Sequence, residues 1–174
     1  TILLAGRLPT IGLTLALGLA LALWTRRRFG GAAGLVALVF FCFDPNLIAH
    51  GRYVTSDMFV TAFSFAACAA WGWYLESGKK RALLLAGAVA GLALASKISA
   101  VFLAPAFIAL FVIRWWQRPR EFSVGRLLRS SVVIAVTACL VVAAVYAPEI
   151  KLLVPMTRAQ RKARARMRKT LRAL

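Results

Sequence analysis

GLVALVFFCFDPNLIAHGRYVTSDMFVTAFSFAA, residues 34–67, sets two apolar runs on either side of a polar segment that extends from Asp44 to Asp57. The segment opens and closes with two of the chain's five acidic residues, and its only histidine, His50, lies between them beside Arg52. A charge at mid-bilayer costs at least about 2.5–3.5 kcal/mol, so charged groups gathered between long apolar runs belong at a bilayer edge. The flanking runs then read as membrane spans and the polar segment as a loop facing water.

Composition supports spans. At 61% hydrophobic residues and a mean hydropathy of +0.79, the chain is unlike an ordinary soluble domain. The net charge of +18 would point to nucleic acid in a soluble protein. Here most basic residues sit in short clusters between apolar runs, as in cytoplasmic loops, so no nucleic-acid partner is expected. Cys42, Cys68 and Cys139 stand alone in apolar runs without CxxC spacing and read as small buried hydrophobes. The chain starts without Met inside an apolar run, which reads as a fragment.

Six apolar segments emerge, at roughly Ile2–Trp24, Phe29–Phe43, Met58–Leu75, Ala82–Ala95, Ile98–Trp116 and Leu127–Ala147. The expected fold is all-α, a polytopic transmembrane helix bundle. A helix needs about 20 residues to cross about 30 Å of hydrocarbon, so the second and fourth segments are short. The fourth and fifth together are too long for one span and need a turn near Ser96-Lys97.

Loop charge sets the orientation. Arg26-Arg27-Arg28, Lys79-Lys80-Arg81, and Arg114, Arg118, Arg120, Arg126 and Arg129 occupy alternate loops, while the other loops hold only Arg52 and Lys97. This positive-inside pattern places the basic loops in the cytoplasm. All five tryptophans (Trp24, Trp71, Trp73, Trp115 and Trp116) fall at the basic ends, where an aromatic belt belongs. The polar segment is then extracytoplasmic, and Arg7 and Lys97 join it at the outer ends of their segments.

Local signals fit that loop. Asp44-Pro45 reads as an N-cap followed by Pro at the first helical position, opening a short helix through Asn46 to Tyr53. Thr55 or Ser56 can cap the third span, which leaves Asp57 in a first turn where the helix dipole favours a carboxylate. Gly30 and Gly34, then Gly87 and Gly91, recur at helix-packing spacing. Glu76, Glu121 and Glu149 read as solvated partners in basic or interfacial loops. GLALASKIS, residues 91–99, fails as a phosphate-binding loop, because Ser96 replaces the second Gly and Ile98 follows the Lys.

A boundary is expected near 150, between a partial membrane domain and a polybasic tail, residues 151–174. Six spans would put the tail outside, against the charge rule. It reads as a cytoplasmic anionic-lipid anchor, a nucleic-acid arm, or a non-native and disordered end, and no function is inferred from it.

One histidine without Cys or Glu nearby makes no metal site, and no Ser-His-Asp arrangement can be argued from one loop. What remains are carboxylates able to act as base or orienter, and Arg7, Arg52 and Lys97, able to hold phosphate. That set suits a substrate with a lipid tail and a phosphate head. A small multi-span transporter or scaffold is the alternative. Against it, the span interiors hold only Thr, Ser and small residues, and no internal repeat is seen.

In order along the chain, the Arg-Leu-Pro opening, FG..AGL.AL, DPN..AHGR.V..D and GLALASK.SA resemble membrane glycosyltransferases of the GT-C fold. The branch is that of protein O-mannosyltransferases and bacterial aminoarabinose transferases, and the resemblance covers roughly Leu4 to Tyr146. It implies sugar transfer from a polyprenyl-phosphate donor to a protein, lipid or glycan acceptor at the outer face of a bacterial inner membrane. Whether a divalent metal assists is left open by it. By the resemblance Asp57 matches the later acidic position, in a supporting or orienting role. Arg7, Arg52 and Lys97 match donor-phosphate contacts, and His50 and Asp44 are possible substrate contacts. The family's principal catalytic carboxylate would lie before Thr1, so the chain alone is expected to be inactive.

Overall fold

The structure, a computed structural model, describes residues 2–53, 55–119 and 123–153. The expected tail and Glu121 therefore fall outside the described residues, apart from the last helical turn to Leu153. Every regular element among the described residues is helical: α1 (Ile2–Phe29), α2 (Gly31–Phe43), α3 (Pro45–Gly51), α4 (Ser56–Ser77), α5 (Lys80–Ser96), a 3-10 turn (Ile98–Phe102), α6 (Leu103–Gln117) and α7 (Val124–Leu153). The chain divides into two compact units, residues 1–142 and 143–174. In the second, the described residues continue α7 and include Pro148.

The stretches Gly6–Phe29, Ser56–Ser77, Ile98–Gln117 and Val124–Glu149 are each long and apolar enough to cross a membrane. The pair α2 and α3 qualifies jointly but bends by 62°, so it is either a broken span or a re-entrant loop. With 17 residues, α5 reaches roughly 26 Å at 1.5 Å per residue, short of the hydrocarbon thickness. The six expected segments thus all appear as helices, and the two that read as short are short. This is an integral membrane protein built as a helix bundle.

Packing follows residue size. α4 and α5 are joined through Gly78, whose φ of +65° closes α4 with its N–H donating to the Tyr74 carbonyl at 2.8 Å. Between the two helices lie Ala67, Ala70, Ala86, Ala90 and Ala93, all buried, so the backbones come close. Trp71, Leu103, Phe107 and Phe111 fill the space toward α6. A smaller cluster of Leu17, Met58 and Ala62 fastens the start of α4 to α1.

Several sequence readings change. Gly34, Gly87 and Gly91 are packing glycines: a Cβ on Gly34 would lie 2.8 Å from Arg26 Cβ, and on Gly87 2.8 Å from Thr137 Cβ. Gly30 is not one of them. It takes φ +95° as the N-cap of α2 and turns the chain between α1 and α2, and a Cβ there would meet nothing within 4 Å. Trp71 leaves the aromatic belt: it is buried, its indole N–H donates to the Phe107 carbonyl at 3.0 Å, and its ring stacks on Tyr74 and Phe107. Trp24, Trp73, Trp115 and Trp116 remain exposed. Cys42 and Cys139 are exposed rather than buried, because in lipid the solvent itself is apolar and such residues need no protein interior.

Candidate functional site

The polar segment folds as its local chemistry dictates. The Asp44 carboxylate accepts hydrogen bonds from the backbone N–H groups of Asn46 and Leu47, at 2.8 and 2.9 Å, and caps α3 with Pro45 in the first turn. Asp44 is therefore occupied as a cap. The α3 helix ends at Gly51, where a Cβ would come within 3.1 Å of Thr14 on α1, so the absence of a side chain lets α3 lie against α1. Thr55 is the N-cap residue of α4 by position, without a side-chain capping bond, and Asp57 stands in the first turn. At the other side Lys97 takes an extended conformation, φ −160° and ψ 132°, and ends α5 without Gly or Pro. That is the turn expected near Ser96-Lys97.

These elements bring His50, Asp57 and Lys97 together although they come from α3, α4 and the end of α5. Lys97 Nζ lies 2.5 Å from Asp57 Oδ1. His50 Nδ1 lies 3.6 Å from Asp57 Oδ2, close enough for charge attraction but too long for a hydrogen bond. The side chains are 37% (Asp57), 45% (Lys97) and 47% (His50) exposed, so the group forms an open shelf rather than a closed cavity.

Arg7 and Arg52 converge on a residue the sequence reading passed over. Their guanidinium carbons lie 5.9 and 6.0 Å from the Tyr53 ring centroid, and neither has an ion-pair partner among the described residues. An arginine held over an aromatic face keeps the N–H donors along its edge available, the geometry that grips phosphate in two-point contact. The signal was present: Tyr53 follows Arg52 directly in a loop at the bilayer edge, where aromatic residues gather. Two hydroxyls were also unforeseen. Thr10 Oγ1, one turn beyond Arg7, and Thr55 Oγ1 are buried with no hydrogen-bond partner among the described residues.

The opposite end of the bundle carries a different arrangement. Both Glu76 oxygens are taken by arginines: Arg28 Nη2 donates to Oε2 at 2.6 Å, while Arg28 Nη1 and Arg114 Nη2 both bond Oε1. Glu76 is therefore a clamp joining the ends of α1, α4 and α6 and not a solvated loop residue, whereas Glu149 is exposed as expected. The clamp draws the basic last turns of α1 and α6 to the acidic end of α4, away from the shelf. Among the described residues no group of three His, Cys, Asp or Glu is placed to hold a metal ion.

Residues 3–150 match the family described as dolichyl-phosphate-mannose-protein mannosyltransferase. No curated protein and no solved structure matches the chain. The match covers well over half of the sequence, and the chain belongs to that family of membrane glycosyltransferases.

Proposed function

We propose that this family member holds the phosphate of a polyprenyl-phosphate-linked sugar with Arg7, Arg52 and Lys97, on the extracytoplasmic face of a bacterial inner membrane. The sugar passes to a protein, lipid or glycan acceptor. An acceptor oxygen forms a bond to the anomeric carbon with inversion, and the bond from that carbon to the carrier phosphate breaks. The departing phosphate gains a second negative charge, so cations fixed beside it stabilise the transition state more than the bound donor.

The observation that carries this reading is that two polar groups, Arg7 and Arg52 at the Tyr53 ring and Lys97 at Asp57, both lie at the end of the bundle opposite the basic loops. Asp57 fits an orienting role better than that of a base. Its Oδ1 is held by Lys97, so the carboxylate is already engaged in fixing that ammonium group. It keeps Lys97 from turning away into water and offsets its charge. The acceptor proton falls to another base.

The test uses the enzyme in membrane vesicles. Asp57→Asn and Lys97→Ala are each expected to cut sugar transfer at least tenfold while expression and insertion hold. Unchanged transfer in both would remove these residues from the mechanism. Solute uptake measured in the same vesicles separates the transferase from a transporter, which would show uptake without transfer.

A further inference from the structure

A cavity of about 610 Å³ opens at the basic end of the bundle, between the end of α4, the start of α5 and the start of α7. We infer that it binds the phosphate headgroup of an anionic phospholipid. Among the described residues, Lys80 and Arg129 line it, and no Asp or Glu does. The contrast with the neighbouring cavity, of about 490 Å³, decides between them. There Arg28 and Arg114 are already engaged by Glu76, so an incoming phosphate would have to displace a carboxylate.

The rest of the lining fits a lipid better than a free anion. Leu83, Leu84 and Val133 continue the wall along α5 and α7 toward the membrane interior, and Leu84 is half exposed. A headgroup on the cations would therefore have apolar helix faces directly beneath it for its acyl chains. Both helices belong to stretches of high apolar content, α7 to one that qualifies as a span. Basic pockets between helix ends are where headgroups of anionic lipids collect, each Lys or Arg strengthening binding several-fold. The site is remote from Asp57 and Lys97, and the inference depends on membrane embedding, not on the transfer reaction.

The experiment is lipid titration of the full chain in zwitterionic detergent, read by native mass spectrometry, with dioleoylphosphatidylglycerol against dioleoylphosphatidylcholine. Phosphatidylglycerol is expected to bind preferentially. Lys80→Gln with Arg129→Gln is expected to weaken it about 30-fold, two cations each contributing near the surface, and to leave phosphatidylcholine unchanged. Arg26→Gln with Arg27→Gln removes the same charge from the same end and should change affinity less than about threefold. Lys80→Arg with Arg129→Lys keeps both charges and should retain wild-type binding. Equal affinity for the two lipids, equal losses in the two neutralised pairs, or a full loss in the charge-retaining pair would each overturn the assignment. So would complete displacement of phosphatidylglycerol by millimolar inorganic phosphate, which would mark a free-anion site.

Discussion

Gly91 offers a test in which two effects of known sign oppose each other. It lies on α5 against α7, and a Cβ there would sit 2.8 Å from both the Ala138 carbonyl oxygen and Val141 Cβ, and 3.0 Å from Ala138 Cα. Ordinary contact begins at 3.4 Å, so α7 would have to retreat by about 0.6 Å, and the obstacle is partly backbone that cannot swing aside. Such overpacking costs about 1–3 kcal/mol. Replacing Gly by Ala in a helix also gains about 0.8–1.0 kcal/mol from propensity. Gly72, within α4, isolates the second effect, since nothing lies within 4 Å of its Cβ position. Propensity is common to both sites and cancels, so Gly91→Ala should be less stable than Gly72→Ala by about 1–3 kcal/mol. Unfolding in mixed micelles with rising SDS, followed by far-ultraviolet circular dichroism, measures the difference. In membrane vesicles Gly91→Ala should also lower transfer while Gly72→Ala does not, because Lys97 follows Gly91 at the end of the same helix. Equal stability of the two variants, or a more stable Gly91→Ala, would refute the close approach of α5 and α7.

Two further outcomes are expected. Trp71→Phe keeps ring stacking but loses the indole bond to the Phe107 carbonyl, which should cost about 1 kcal/mol, whereas Trp71→Ala also opens a cavity and should cost about 3–5 kcal/mol. Both are read by the same SDS titration, and similar losses in the two variants would exclude the packing account. Cysteines placed at Tyr53 and Ser77, in a background lacking Cys42, Cys68 and Cys139, should react with an impermeant maleimide from opposite sides of the membrane; labelling from one compartment would overturn the orientation.

Where the chain's behaviour is set by neighbours in sequence, the sequence was informative. Asp44-Pro45 makes a cap because the carboxylate needs only the next two or three N–H groups, and these are always within reach. Apolar length located the helices because hydrocarbon thickness imposes it. The turn at Lys97 was found by length alone, without any turn residue. What stayed hidden depends on the rotational phase of one helix against another. Helices that are apolar all round give no stripe from which to read that phase. Glu76 finds Arg28 and Arg114 at 48 and 38 residues' distance, and the Trp71 indole reaches a carbonyl 36 residues away. Position beside basic loops made both look like interfacial groups. Gly30 misled for the opposite reason, since four-residue spacing from Gly34 describes packing and turning equally well until φ is known. For the shelf, the sequence supplied the groups and their common side, and the structure adds the pairing of Lys97 with Asp57 and the aromatic seat of the two arginines.

The two ends of the bundle show what the same residue types do under different partnership. Arg28 and Arg114 spend their donors on one carboxylate, which ties three helix ends together and leaves little for a ligand. Arg7 and Arg52 are held instead by the face of Tyr53, an attraction that restrains the guanidinium without consuming its edge. Lys97 is intermediate, fixed by Asp57 through one of its three protons and free to offer the others. Neither arginine is therefore held by a carboxylate among the described residues, and Lys97 is held by Asp57 alone. The difference between the two ends does not come from the number of basic residues, which is larger on the side of the clamp. It comes from where the few carboxylates are spent, and a chain with five acids in 174 residues has few to spend.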